Sequence, residues 1–377
     1  MIINSQFILI ISTLVALGLV FLAGLIIMGR FRMKGHIQRA LNMSLFSITL
    51  PRDSGQSQSG VAQKSEKELI AVMEQLISSF SNLQAKGWNK FLYCETYITL
   101  EIAVEHKGEE IGFYVAVPNS YKDIFEKQIH GLFPTAEVKP AKDYNIFNPE
   151  GAAVGTFFKL GTDEILPFKT YQRLEADPLG ETVTSLSKLQ EQGEGASIQI
   201  LIRPSHKKHI KSLALKVAKE MQSGHDFKKA LGRAKNPPKP KKPGEEIKPD
   251  DQPKPVTPFG EEIVKAIQNK ASKQTFDTNI RVMVSALTQE RASQILEDIQ
   301  GSFVQYSAPD LNFMKSVKLS GGALKKLIFN YTFRIFDDKQ VSYFSTEEIT
   351  SLYHFPIATT LAPKIKFLRS KPAEPPA

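Results

Sequence analysis

A P-loop needs glycines for backbone approach and a Gly-Lys pair to reach the β- and γ-phosphates, and none of the 377 residues of this chain forms a Gly-Lys dipeptide. Nucleotide hydrolysis by that route is excluded. Gly193-Glu194-Gly195 lacks the third glycine of a dinucleotide fingerprint and precedes a strand pattern, so it reads as a turn. Neither H-E-x-x-H nor G-x-S-x-G occurs. His206 and His209 share one helix face at i, i+3, a spacing that can hold a metal, but Lys207, Lys208 and Lys211 beside them would repel a cation. Cys94 is the only cysteine, which removes any internal disulfide, CxxC pair or multi-cysteine metal site; with no base in view it reads as a small core residue. Glu101, Glu105, Glu109 and Glu110 crowd a turn, a pattern usual for a solvated face. Trp88 and the many phenylalanines fall on strand or helix faces and read as core. No cofactor and no metal are expected, and the chain reads as a non-enzyme; the alternative is a site assembled from scattered residues.

Charge points to a partner. Arg203, Lys207, Lys208, Lys211, Lys216, Lys219, Lys228, Lys229, Arg233, Lys235, Lys239, Lys241 and Lys242 face only Glu220 and Asp226 between Arg203 and Lys242, a local +11 in a chain of +9, so the remainder sums to −2. Such a segment fits DNA, through salt-sensitive phosphate contacts, or the anionic cytoplasmic leaflet, where each basic residue contributes about 1 kcal/mol. It also fits a solubilising helix and linker with no specific partner. Ile210, Leu213, Val217 and Met221 form an apolar stripe that packing would consume, leaving the lysines outward. No aromatic side chains are interleaved for base stacking. The residues singled out for nucleic-acid or lipid contact are Arg203, Lys207, Lys208, Lys211, Lys216, Lys219, Lys228, Lys229 and Arg233.

These residues sit on a tethered chain. Residues 7–29 carry no charge and as a helix would span about 34 Å, enough for a bilayer core. One membrane-spanning helix is expected. A cleaved signal peptide fits badly, because no Lys or Arg precedes the run and no A-x-A site follows. Arg30, Arg32, Lys34 and Arg39 follow the helix, and no basic residue precedes it, which orients the N-terminus (1–6) outside and the bulk in the cytoplasm. The localisation expected is a cytoplasmic (inner) membrane.

The rest, at 42% hydrophobic residues, can build real cores. After a basic juxtamembrane segment (30–42), residues 43–145 read as one α+β module. It has a strand at 43–50, a polar loop PRDSGQSQSG, and a helix over 65–84 with Leu69, Val72, Met73, Leu76 and Phe80 on one face. Two alternating, half-buried strands at 97–104 and 111–117 follow, then a helix near 120–132 and a strand near 136–141. The order β-α-β-β-α-β is that of a ferredoxin-like split βαβ module.

A second module (146–222) has a strand at 152–160, a helix entered at Asp177-Pro178, a strand at 196–203 and the basic helix. Residues 223–258 read as a Pro/Lys-rich linker or insertion, and over 233–258, where prolines crowd and apolar side chains are almost absent, no core can form. In the C-terminal module (259–362), Ile280, Val282 and Val284 mark a strand, Ala292, Ile295 and Ile299 a helix, and Leu327, Phe329, Tyr331, Phe333 and Ile335 a long strand. Ser345 with Glu348 forms a capping box at the last helix. The strands on either side of the insertion could complete a second split βαβ module; two independent domains divided near residue 240 are the alternative. The tail 363–377 reads as a Pro-rich linker that has lost its next domain.

Three passages, GEEIGFYVAVPNSYKDIFEKQIHGLFPTAEV (108–138), FKTYQRLEADPLGETVTSLSKLQEQGEGASIQILIRP (168–204) and FSTEEITSLYHFP (344–356), resemble the membrane-proximal region that precedes the motor in bacterial conjugation and type IV secretion ATPases of the DNA-translocase type. In that family a membrane-anchored α+β region leads through a Pro-rich connector into the P-loop motor; here the sequence stops at Pro375-Pro376-Ala377. The resemblance implies location and assembly, and carries no motor activity over. Two functions are expected from it and from the charge. One is a single-pass, non-enzymatic scaffold or docking component that works with a separately encoded P-loop ATPase. The other is a membrane-tethered nucleic-acid-binding protein using 203–242. The bilayer, that ATPase, DNA or anionic lipid, and a second copy of the chain are the partners to test.

Overall fold

The structure, a computed structural model, describes residues 5–51, 65–83, 95–237, 255, 257–357, 360 and 362–368. Cys94, Trp88, Lys239, Lys241, Lys242, most of the polar loop after Pro51, most of the Pro-rich segment and the tail beyond Leu368 lie outside the described residues.

The chain begins with one long helix, α1 (Ser5–Leu41), within which Ile11–Arg30 is long and apolar enough to cross a membrane, with every residue of that stretch exposed. Asn42 alone separates α1 from β1 (Met43–Thr49). There follow α2 (Glu66–Ser79), β2 (Ile98–Val104), β3 (Ile111–Pro118), α3 (Lys122–Leu132) and β4 (Glu137–Pro140). Then come β5 (Ala152–Leu160), α4 (Pro178–Ser187), β6 (Gly195–Pro204), α5 (Lys208–Gln222), α6 (Phe227–Lys235) and α7 (Pro258–Ser272). The last elements are β7 (Thr275–Ala286), α8 (Gln289–Ser302), β8 (Met314–Lys318), α9 (Gly321–Thr332), β9 (Ser342–Ser345) and α10 (Thr346–Leu352).

Among the described residues the strands form one mixed-length antiparallel sheet in the order β4-β1-β3-β2-β6-β7-β5-β8, with β9 pairing the start of β7. Both halves repeat the same pattern. Counting strands within each half, the first runs fourth-first-third-second and the second, read inward from β8, does the same; β2 and β6 join them antiparallel over Ile98↔Ile202 to Val104↔Ala196. The segment carrying α5, α6 and α7 is therefore inserted between β6 and β7, which lie side by side over ten paired residues.

Helices α2, α3, α4, α8 and α10 cover one face, and their apolar stripes share a core with Ile98, Leu100, Ile102, Ile198, Ile200 and Ile202 of the central strands. The other face is covered by α9 and the 141–147 segment, packed on Leu45, Tyr114, Ala116 and Met283. This second layer makes β2 and β3 buried along both faces, where alternation predicts half-burial. A third cluster ties α5, α6 and α7 to Ile165, Leu166, Leu311 and Tyr343.

The 327–335 segment corrects the sequence expectation: it is not a strand. Leu327 and Tyr331, four apart, are buried against the sheet, while Phe329 and Phe333, also four apart, lie outward with tilted rings whose centroids are 4.8 Å apart. Two i, i+4 pairs on opposite sides of a helix mimic period-two alternation when read linearly. The capping box at Ser345–Glu348 is present with both of its bonds, and a second one at Ser65–Glu68 starts α2. At Gly193-Glu194-Gly195 the backbone does turn, with Gly193 at φ +90°. Gly195 then enters β6 so close to the crossing 146 segment that a Cβ would sit 2.2 Å from the Ile146 carbonyl oxygen. Residues 362–368 lie along the start of β3, where the Ile111 amide donates to the Lys364 carbonyl at 2.7 Å.

Candidate functional site

The described part of the basic segment folds into two helices, α5 and α6, and α7 packs on them from beyond the Pro-rich stretch; α6 falls where a linker is expected from residue 223, because its Ala230 and Ala234 are buried among the three helices. Ile210, Ala214, Val217, Ala218 and Met221 turn the apolar stripe of α5 inward; Asp226 caps α6 by accepting from the Lys229 amide, and Thr257 with Pro258 opens α7. The singled-out cations then divide into two groups. Arg203 is committed to the fold: its guanidinium lies 4.2 Å from the Phe336 ring centroid and pairs with Asp338 at 2.7 Å and Asp277 at 3.3 Å. Lys207 faces Glu164 and Asp277, Arg233 donates to Glu220 at 2.7 Å, and Lys235 pairs with Asp163 at 3.4 Å. Lys229 is half-buried at the start of α6. By contrast, Lys208, Lys211, Lys216 and Lys219 stand exposed along α5, and Lys228 is exposed on α6. Leu215, at 50% exposure, lies among the four lysines of α5. His206 faces Glu95 at 3.4 Å, and among the described residues there is no group of three His, Cys, Asp or Glu placed to hold a metal. Arg30, Arg32, Lys34 and Arg39 all fall within α1.

Register fixes where this stripe sits. Met43, the first residue of β1, pairs with Pro118; Thr99 pairs with Ala116, Ile98 with Ile202, Arg203 with Asp277, and Asp277 with Tyr343. One end of the sheet thus carries, in a row, the exit of α1, the start of β2, the end of β6 leading into α5, and the start of β7. From β1 to β6 is three strand steps, about 14 Å. Met43 packs against the cluster of Tyr97, Leu201 and Phe336, the last being the ring under Arg203.

Sequence reasoning missed a buried polar network beneath α9. Glu101, fully buried, accepts from Arg334 through Nε at 2.9 Å and Nη2 at 3.1 Å, from Gln199 Nε2 at 2.8 Å and from the Tyr144 hydroxyl at 3.0 Å. Arg334 adopts φ +50°, the left-handed region, which places it at the turn after α9. Arg281, also fully buried, spends its guanidinium donors on Gln340, Gln199, the Asn330 carbonyl, Asn279 and the Ile335 carbonyl. That matches its five N–H groups. Burial pushes this guanidinium down to about 10, against the nearby Asp337 carboxylate. These groups bond one another and pin α9 onto β2, β6 and β7.

Two further buried ionic groups test for catalysis. His354 faces Asp177 through Nε2 at 2.9 Å and the Thr350 carbonyl through Nδ1 at 3.0 Å, while the Thr360 hydroxyl donates to Asp177. A triad needs the hydroxyl on the histidine, not on the carboxylate, so no nucleophile is activated here. Burial alone would raise the Asp177 carboxyl, but His354, Thr360 and the Leu179 amide together hold it below its ordinary value. Lys270 and Glu348 lie 3.1 Å apart in the core; burial lowers the lysine and raises the carboxyl, each opposed by the other's charge. The cavity beside them holds about 30 Å³, room for one or two waters rather than a substrate.

Larger concavities lie elsewhere. One of about 740 Å³ opens between His106, Asn148, Gln192 and Leu287, at the end of the sheet away from α1. Another, of about 560 Å³, runs between α4 and α8 past Asp177, Glu181 and Asp298.

No curated protein matches the chain. A family model described as a domain of unknown function (DUF8128) matches residues 47–366, nearly the whole sheet and its helices, and the chain belongs to that family.

Proposed function

We propose that this protein is a membrane-anchored docking platform, the non-enzymatic cytoplasmic component of a conjugation- or type IV secretion-like machine, working with a separately encoded P-loop ATPase. The observation that carries it is mechanical continuity. A helix able to cross a membrane runs into β1 with one residue between, and β1 belongs to a single sheet that extends to β8. A force on any strand of such a sheet is passed to the anchor through packed hydrogen-bonded layers. Each half is, in this proposal, a ferredoxin-like split βαβ module, supported by the repeated strand order. Arg30, Arg32, Lys34 and Arg39 support a cytoplasmic body with the N-terminus outside. The choice of machine rests on the resemblance over 108–138, 168–204 and 344–356. Those passages supply β3-α3-β4, α4-β6 and β9-α10.

The test is purification of the detergent-solubilised protein from its native cells, with and without nuclease. A P-loop ATPase that co-purifies and survives nuclease supports the platform. Recovery only of DNA and proteins lost with nuclease would replace it by the second reading, a membrane-tethered nucleic-acid binder using 203–242.

A further inference from the structure

We infer that the exposed face of α5 is a second membrane contact: Lys208, Lys211, Lys216 and Lys219 dock on anionic lipid headgroups, with Leu215 entering the headgroup layer between them. This rests on α1 being the membrane anchor, and adds to it a lipid preference and a fixed orientation of the sheet.

Position supplies the first argument. The row of paired residues from Met43 to Asp277 puts the start of α5 at the end of the sheet from which α1 departs. The three-helix unit packs on Ile165, Leu166, Leu311 and Tyr343, all in or beside loops of that end. Spacing supplies the second. Beyond Arg30, α1 stays helical to Leu41. With α1 along the bilayer normal, those eleven residues lift the sheet end about 16 Å above the hydrocarbon core. The headgroup layer fills roughly 5–7 Å of that gap. About 10 Å remains, the diameter of one helix.

Chemistry supplies the third. The cations that face the protein are neutralised: Arg203 by Asp277 and Asp338, Lys207 by Glu164 and Asp277, Arg233 by Glu220, Lys235 by Asp163. Those on the outer face of α5 are exposed, and they surround an exposed leucine on a helix whose opposite face is consumed by packing. Lysines flanking an apolar side chain suit a lipid surface. A nucleic-acid surface would call for large stacking aromatics or planar arginine forks; among the exposed residues of α5 there is no Phe, Tyr, Trp or Arg.

The test uses the full chain carrying Cys94→Ser and Leu215→Cys, labelled at position 215 with an environment-sensitive fluorophore. It is reconstituted into vesicles of phosphatidylcholine alone or mixed with phosphatidylglycerol, and insertion is checked separately by flotation and carbonate resistance. A blue shift confined to the anionic vesicles is expected. It should fade as salt is raised from about 0.1 M to about 1 M, which shortens the screening length from roughly 10 Å to roughly 3 Å. Each Lys→Gln change among the four should weaken docking about fivefold, and the four Lys→Arg changes together should preserve it. Equal spectra in both vesicle types, with the protein inserted, overturn the lipid contact and leave the anchor standing. A salt-sensitive shift given by duplex DNA but not by anionic vesicles overturns it in favour of nucleic acid. Failure to float with either vesicle removes the anchor, and the lipid contact with it.

Discussion

Arg334, 13% exposed, meets the fully buried Glu101 through two parallel hydrogen bonds, so breaking the pair costs more than the pair itself contributes. Arg334→Ala leaves a buried carboxylate without its counter-charge and is expected to cost about 3–5 kcal/mol, read as a fall in the urea midpoint. A cost under about 1 kcal/mol would place the pair with surface bridges. Asp177 makes a different prediction because its carboxyl is held low in the folded state. Such a group stabilises fully above its unfolded value, about 3.9, and the contribution fades as pH falls through the lower folded value. Asp177→Asn keeps an acceptor at the start of α4 and removes the charge. The stability gap between protein and variant should therefore be widest above about pH 4 and close at lower pH. A gap of constant size from neutral to acid solution would show that the charge itself contributes nothing.

At the level of elements, the two capping boxes bond alike and differ in burial. Ser65 is exposed, whereas Ser345 is 2% exposed and its hydroxyl also donates to the buried Glu348. Ser65→Ala should cost about 1 kcal/mol and Ser345→Ala about 2 kcal/mol, compared by thermal unfolding; equal costs would mean that burial adds nothing to the cap. The box at Ser345 was legible because its two residues are three apart in sequence. So were the alternating strands and the helix entered at Asp177-Pro178; the linker expected from residue 223 instead begins with α6, whose short apolar face of Ala230 and Ala234 is buried by its neighbours. What sequence could not reveal was set by distant partners. Glu101 looks like a solvated strand residue until Arg334 arrives from the far side of the chain, and the same contact layer turns half-buried strands into fully buried ones. The basic segment was legible as charge. Which of its members are spent was not, because Asp277, Glu164 and Asp163 come from other elements. The helix α9 was misread because its two pairs of large apolar residues point to opposite sides of one short helix.

For the whole molecule, the junction between the halves decides whether the body is one platform or two. Ile98, Leu100 and Ile102 of β2 face Ile202, Ile200 and Ile198 of β6 in adjacent registers, all buried in the same core as the helices of both halves. Separating the halves would expose those six side chains, at roughly 1.5–3 kcal/mol each. It would also strand the ladder groups of two long strands away from any partner. The segment between β6 and β7 can open without breaking that ladder or the central core, since its helices pack in a separate cluster, on one another and on Ile165, Leu166, Leu311 and Tyr343. The sheet should then behave as a single cooperative unit while α5, α6 and α7 form a second. Native-state hydrogen exchange on the full chain in detergent measures this directly. Amides of Leu100, Phe158, Ile200 and Val282, one from each of β2, β5, β6 and β7, are expected to share one opening free energy, with those of α5 and α6 opening at lower cost. If Leu100 instead separated from Phe158, Ile200 and Val282, the halves would open independently. A load applied to the second half would then reach α1 only through the connecting loop, and the body could not serve as a rigid platform.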